Sequence, residues 1–133
     1  MVISFEKAMA KILIIEDNEN NLYLETFILQ SHGHQVLQAR DGESGIALAL
    51  EEHPDLILLD IQLPAMDGFQ VAAELRKLHR LNTTPIVAVT SYAMVGDREI
   101  ILAAGCNDYL EKPINPDTCM AQVQLHLANP QKG

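Results

Sequence analysis

Five times along the chain a short apolar run gives way to a longer stretch of helix-compatible sequence. The runs are "KILIIE" (11 to 16), "HQVLQA" (34 to 39), "DLILLD" (55 to 60), "PIVAVT" (85 to 90) and "NDYLEK" (107 to 112). The stretches between and after them cover 18 to 31, 43 to 52, 68 to 80, 94 to 104 and 116 to 128. Strand followed by helix, repeated, predicts an α/β fold around a mostly parallel sheet. The first, third and fourth runs are almost continuously apolar, as strands covered on both faces are. The second and fifth are more polar and suit the sheet edges. Gly33 and Gly105 fall where helices should end, and Pro54 and Pro85 stand just before strands. The expected architecture is one five-stranded, doubly wound (βα)5 sheet, in which ligands gather at the carboxyl ends of the strands.

Charge narrows the function. Lys and Arg total 9 against 18 Asp and Glu, a net charge of -9. That balance argues against a nucleic-acid footprint or an anionic membrane surface. No apolar run is long enough for a spanning helix. Cys106 and Cys119 lack metal spacing and read as reduced thiols of a cytoplasmic protein. In "MVISFEKAMA" Glu6 and Lys7 interrupt what a signal peptide would keep apolar, so residues 1–10 read as a short leader, with Met9 an alternative start. Residues 11–128 form the domain and 129–133 a short tail.

The strand ends carry the chemistry. The first ends in Glu16-Asp17, the third in Asp60, the fourth in Thr90-Ser91 and the fifth in Lys112-Pro113. Gathered at one sheet edge, three carboxylates repel; one pair about 4 Å apart costs about 4 kcal/mol at an effective dielectric near 20. Lys112 supplies one positive charge and a hard divalent ion such as Mg2+ would supply the rest. Asp60 could then attack a phosphoryl group, with Lys112 and the Thr90 hydroxyl on its oxygens. Taken singly, each residue has a plainer reading: Asp60 a cap, Thr90 a strand end, Lys112 a surface lysine, Tyr109 an edge aromatic. The five histidines read as solvated, and Asp67 as the N-cap of the third helix.

Together "ILIIEDN" (12 to 18), "DLILLDIQLPAMDG" (55 to 68), "IVAVTSYA" (86 to 93) and "AAGCNDYLEKPI" (103 to 114) resemble the receiver domain of bacterial two-component response regulators. The resemblance extends over about 11 to 128, and is nearest to stand-alone regulators of the DivK type and to the receivers of hybrid kinases. It implies the flavodoxin-like strand order 2-1-3-4-5. It implies that Asp60 accepts a phosphoryl group from a phosphohistidine of a histidine kinase or phosphotransfer protein. Mg2+ would be bound by Glu16, Asp17, Asp60 and the backbone carbonyl of Gln62. Thr90 and Lys112 would contact the phosphoryl oxygens, Thr90 and Tyr109 would switch together, and the bond before Pro113 would be cis. The changed surface would be the face of the fourth helix, fifth strand and fifth helix, read by a downstream partner that the sequence does not name. The chain would act as a monomer or as a phosphorylation-dependent dimer, and would catalyse only its own phosphorylation and dephosphorylation.

On a helical wheel of the first helix, Asn21, Leu24, Phe27, Ile28 and Ser31 share the face expected to cover the sheet. Leu22 and Leu29 fall opposite, as a strip for a partner helix. Gln62 and Tyr92 are expected to flank the site and tune hydrolysis. The rival reading is a Mg2+-dependent phosphohydrolase with an aspartyl-phosphate intermediate. The best-known family of that kind carries a second aspartate two residues after the nucleophile, and here that position is Gln62. A flavin scaffold would want a phosphate-binding loop after the first strand, where "EDNENN" is acidic.

Overall fold

The computed structural model describes residues 9–91 and 96–128. The leader to residue 8, Tyr92 and the tail from 129 lie outside the described residues. In chain order the elements are β1 (Lys11–Ile15), α1 (Glu19–Ser31), β2 (Gln35–Ala39), α2 (Gly42–Glu52), β3 (Leu56–Asp60), α3 (Gly68–Lys77), a 3-10 turn (His79–Leu81), β4 (Ile86–Thr90), α4 (Asp97–Ala103), β5 (Asp108–Glu111) and α5 (Pro116–Ala128). All strand pairs are parallel, in the order β2-β1-β3-β4-β5. The doubly wound sheet and its order are therefore as the sequence predicts.

Two apolar layers sandwich the sheet. Ile12, Ile14, Leu56, Leu58, Val87 and Val89 face one side, where α1 and α5 pack. Leu13, Ile15, Ile57, Leu59, Ile86 and Ala88 face the other, covered by α2, α3 and α4. Because both faces are covered, every residue of β3 and β4 is buried. Each such leucine or isoleucine contributes about 1.5–3 kcal/mol by leaving water. Edge strands β2 and β5 remain partly exposed, which explains their polar residues.

Local signals fix the helix ends. Asn18, Asp41 and Asp67 cap α1, α2 and α3, each accepting a hydrogen bond from the backbone N–H three residues on. Asp67 and Gln70 form a reciprocal capping box. Gly33 and Gly105 have φ of 87° and 114°, the left-handed backbone that closes α1 and α4. Helix α3 stops at Lys77, three residues before the sequence expectation, because Leu78 is extended. The Arg76 guanidinium holds the chain after it, donating to the carbonyls of Leu81, Thr84 and Gly105 and to Asn107 Oδ1.

Helix α1 corrects the predicted register. Leu22 and Leu29 are 2% and 0% exposed and pack in the core, so they form no partner strip. Tyr23 and Phe27 are the exposed apolar residues of α1, with stacked rings 6.5 Å apart. The buried face runs through Leu22, Glu25, Ile28 and Leu29. A glutamate in that stripe disguised the i, i+3, i+7 spacing on which the face depends. His34 is also buried, where its Nδ1 accepts from the Ala10 backbone N–H at 3.1 Å. His126 is mostly buried and sits 3.0 Å from Asp108. Neither is a solvated surface histidine.

Candidate functional site

Register alone brings the acidic groups together. β1 pairs with β3 so that Ile15 lies beside Leu59. The next residues, Glu16 and Asp60, then emerge side by side at the carboxyl edge. Side chains alternate along a strand, so both point to the α1 and α5 side, like Ile14 and Leu58. Glu16 is 0% and Asp60 2% exposed, whereas Asp17 stands in solvent. Carboxylate oxygens of the three lie within 4.8 Å of one another.

The fifth strand delivers the cation. The Lys112 backbone N–H donates to the Thr90 carbonyl at 2.8 Å, and the Lys112–Pro113 peptide is cis. Lys112 Nζ reaches Asp60 Oδ1 at 3.1 Å and lies 3.5 Å from Glu16 Oε1. Asp60 Oδ1 also accepts from the Gln62 backbone N–H at 2.9 Å, and Glu16 Oε2 accepts from the Asn18 N–H at 3.1 Å. Gln62 Oε1 in turn accepts from the Ser91 N–H at 3.2 Å, tying the loop after β3 to the loop after β4. The result is an open cleft of about 260 Å³ whose wall also includes Asn18, Asn21, Gln62 and Ser91.

The charges do not balance. Burial, with the neighbouring Asp60, pushes the Glu16 carboxyl up to about 7. Burial alone would lower Lys112, but Asp60 and Glu16 overrule it and hold the ammonium above its ordinary value. Three carboxylates against one ammonium leave two negative charges. Glu16 Oε1 is buried without a hydrogen-bond partner. An all-oxygen donor set with that deficit fits a hard divalent cation, and Mg2+ characteristically binds through one or two carboxylates while keeping waters.

Thr90 and Tyr109 share the opposite face. β4 and β5 pair Ala88 with Tyr109 and Thr90 with Glu111. Thr90, two residues beyond Ala88, therefore projects to the same side as Tyr109. Thr90 is 1% exposed, and Tyr109 packs half-buried against the layer of α2, α3 and α4.

Residues 12–124 match the response regulator receiver domain. The chain belongs to this family. This receiver is 38% identical over 120 residues to protein PilH of Pseudomonas aeruginosa, across 90% of this chain and 99% of that one. It is 38% identical over 118 residues to the polar-differentiation response regulator DivK of Brucella ovis, across 89% and 96%. It superposes at TM-score 0.85 and 35% identity on the receiver domain of sensor histidine kinase PA1611 from Pseudomonas aeruginosa, across 92% of this chain and 100% of that one. That crystal structure has a magnesium ion coordinated in its active-site cleft.

Of the residues singled out from sequence, Glu16, Asp17, Asp60, Gln62 and Lys112 meet in the receiver's cleft. Asn21 lines the cleft as well, although the helical wheel had placed it against the sheet. Sequence reasoning missed Glu25, which is 1% exposed on the inward face of α1. Burial, with Glu16 second, pushes its carboxyl up to about 8. The available signal was a carboxylate inside an apolar i, i+3, i+7 stripe.

Proposed function

We propose that this receiver is a phosphorylation-activated switch, carried by residues 11–128, with Asp60 as the phosphoacceptor. The observation that carries the reading is the contact of Lys112 Nζ with a buried Asp60 carboxylate inside an acidic cleft that opens to solvent. Glu16, Asp17, Asp60 and the Gln62 carbonyl would hold Mg2+, which when bound supplies positive charge for the phosphoryl oxygens. The Asp60 carboxylate attacks the phosphorus of a phosphohistidine presented by a histidine kinase or phosphotransfer protein. An O–P bond forms, the N–P bond breaks, and the imidazole nitrogen leaves with the electron pair. Lys112 stabilises charge on the transferring oxygens and the Thr90 hydroxyl binds another.

The switch follows from the added charge, roughly -1.5 to -2 near neutral pH. Drawing Thr90 toward the site frees space on the face it shares with Tyr109. The two side chains move together, and the α4-β5-α5 surface takes a second packing that a downstream protein recognises. The module acts in the cytoplasm as a monomer or as a phosphorylation-dependent dimer, and its only catalysis is gain and loss of its own phosphoryl group. The phosphohydrolase reading is disfavoured by Gln62, an amide that cannot serve as the acid and base such an enzyme needs at this position.

The test is incubation with Mg2+ and acetyl phosphate followed by intact-mass measurement. One phosphoryl group should appear, and none on Asp60→Asn. Steady turnover of organic phosphates without a stable adduct would overturn the reading.

A further inference from the structure

The carboxylate of Asp108 is shared between two elements. Its Oδ1 accepts from the backbone N–H of the next residue, Tyr109, at 2.8 Å, and its Oδ2 lies 3.0 Å from His126 Nε2 in the last turn of α5. A carboxylate only accepts, so the imidazole N–H donates to it. The two side chains are largely withdrawn from water, at 21% and 14% exposure. β5 is an edge strand, paired on one side with β4. The Lys112 N–H faces β4, since it donates to the Thr90 carbonyl. Alternation along the strand turns the Tyr109 N–H the other way, to the free edge. Asp108 closes that edge donor, and His126 fastens the closure to α5. The backbone of Tyr109 is thus tied through one carboxylate to the neighbouring helix.

The seam between α5 and β5 is not fully satisfied. Gln122, one turn before His126, lines a groove of about 230 Å³ along the strand edge with Tyr109, Leu110 and Glu111, and with Arg98 of α4. Its Oε1 is buried without a hydrogen-bond partner. An orphaned acceptor destabilises the packing that buries it, by an amount comparable with one hydrogen bond. The resting seam therefore contains one polar contact that favours it and one polar group that opposes it. That is a condition under which two packings of one interface lie close in free energy.

We propose that His126 is a positioning residue for the switch: through Asp108 it holds the Tyr109 backbone in the resting packing, and this latch opens when the α4-β5-α5 face repacks on phosphorylation. The proposal rests on the reading of Tyr109 as a switch residue. Asp108, Tyr109 and His126 do not line the acidic cleft, so the latch is separable from phosphoryl chemistry. His126→Gln keeps a donor nitrogen at nearly the same reach. His126→Phe and His126→Leu keep an apolar body and remove the donor.

The experiment records the Tyr109 ring and amide resonances of the full chain with and without Mg2+ and excess acetyl phosphate, with intact mass and melting temperature in parallel. The parent defines a resting and a phosphorylated position. Without phosphodonor, both apolar variants should lie displaced along the line joining those positions, through a shift of the resting equilibrium of roughly 10-fold. His126→Gln should stay at the parent's resting position. Every variant should still take up one phosphoryl group. A merely structural contact would lower the melting temperature and leave Tyr109 at rest, and that result overturns the proposal. So does displacement off the line, or a His126→Gln variant displaced as far as the apolar ones. A parent that is phosphorylated without moving its Tyr109 resonances overturns the switch role of Tyr109 itself, and this proposal with it.

Discussion

Removing a ligand carboxylate should make the metal-free fold more stable. Of the carboxylates proposed to hold the ion, Asp17 is the one to choose, because it is exposed and its substitution disturbs no packing. Its oxygen lies within 4.8 Å of oxygens on both Glu16 and Asp60. At a water-like dielectric each such pair repels by about 1 kcal/mol, and at an effective value near 20 by about 3–4 kcal/mol. Exposure places Asp17 near the lower figure, and attraction to Lys112 opposes part of it. Asp17→Asn should therefore stabilise the metal-free protein by about 1 kcal/mol, or roughly 4 °C in melting temperature. In Mg2+ the order should invert. At one hundred times its dissociation constant, bound ion adds about 3 kcal/mol to the parent, and the variant, one charged ligand short, gains less. The assay is thermal or urea denaturation of both proteins in EDTA and across a MgCl2 series. A variant less stable than the parent in EDTA, or equal stabilisation of both by Mg2+, would refute the electrostatic reasoning.

Three further outcomes are expected. Gly68→Ala should lose about 1–3 kcal/mol in urea denaturation, because a Cβ there would stand 2.5 Å from Ile61 Cα and 2.6 Å from the Asp60 carbonyl, both backbone. Burial holds His34 below its ordinary 6.5, so the unfolded chain takes up this proton first and stability falls as pH drops below about 6.5. His34→Asn, which keeps an acceptor for the Ala10 N–H but does not titrate, should reduce that acid loss, read as a shallower fall of melting temperature between pH 7 and pH 5. Thr90→Ala should still take up a phosphoryl group but should fail to shift the Tyr109 ring resonances on phosphorylation; shifts equal to the parent's would remove Thr90 from the switch.

What could be read beforehand follows from how each element meets water. Strands β1, β3 and β4 are covered on both faces, so their apolar runs are unbroken and each run ends where chemistry begins. Glu16 and Asp60 were visible because charges at the ends of buried strands have few structural excuses, and Lys112 because Pro113 follows it in the same frame of strand ends. Helix α1 was misread because its pattern is inverted at two points. Glu25 sits inside the buried stripe, while Tyr23 and Phe27 lie outside it at 73% and 60% exposure. The early stop of α3 depends on Arg76 contacts with carbonyls five to twenty-nine residues away, which no local pattern encodes. His34 reads as solvated in the sequence because its partner is a backbone N–H twenty-four positions earlier.

The central claim is that one carboxylate of the cleft, Asp60, carries the phosphoryl group. Borohydride reduces an acyl phosphate of aspartate to homoserine. Treating the acetyl-phosphate-labelled protein with borohydride and sequencing its peptides by mass spectrometry should find homoserine at position 60 in a Mg2+-dependent yield. Homoserine at position 17 instead, or labelled protein that yields none, would contradict the account.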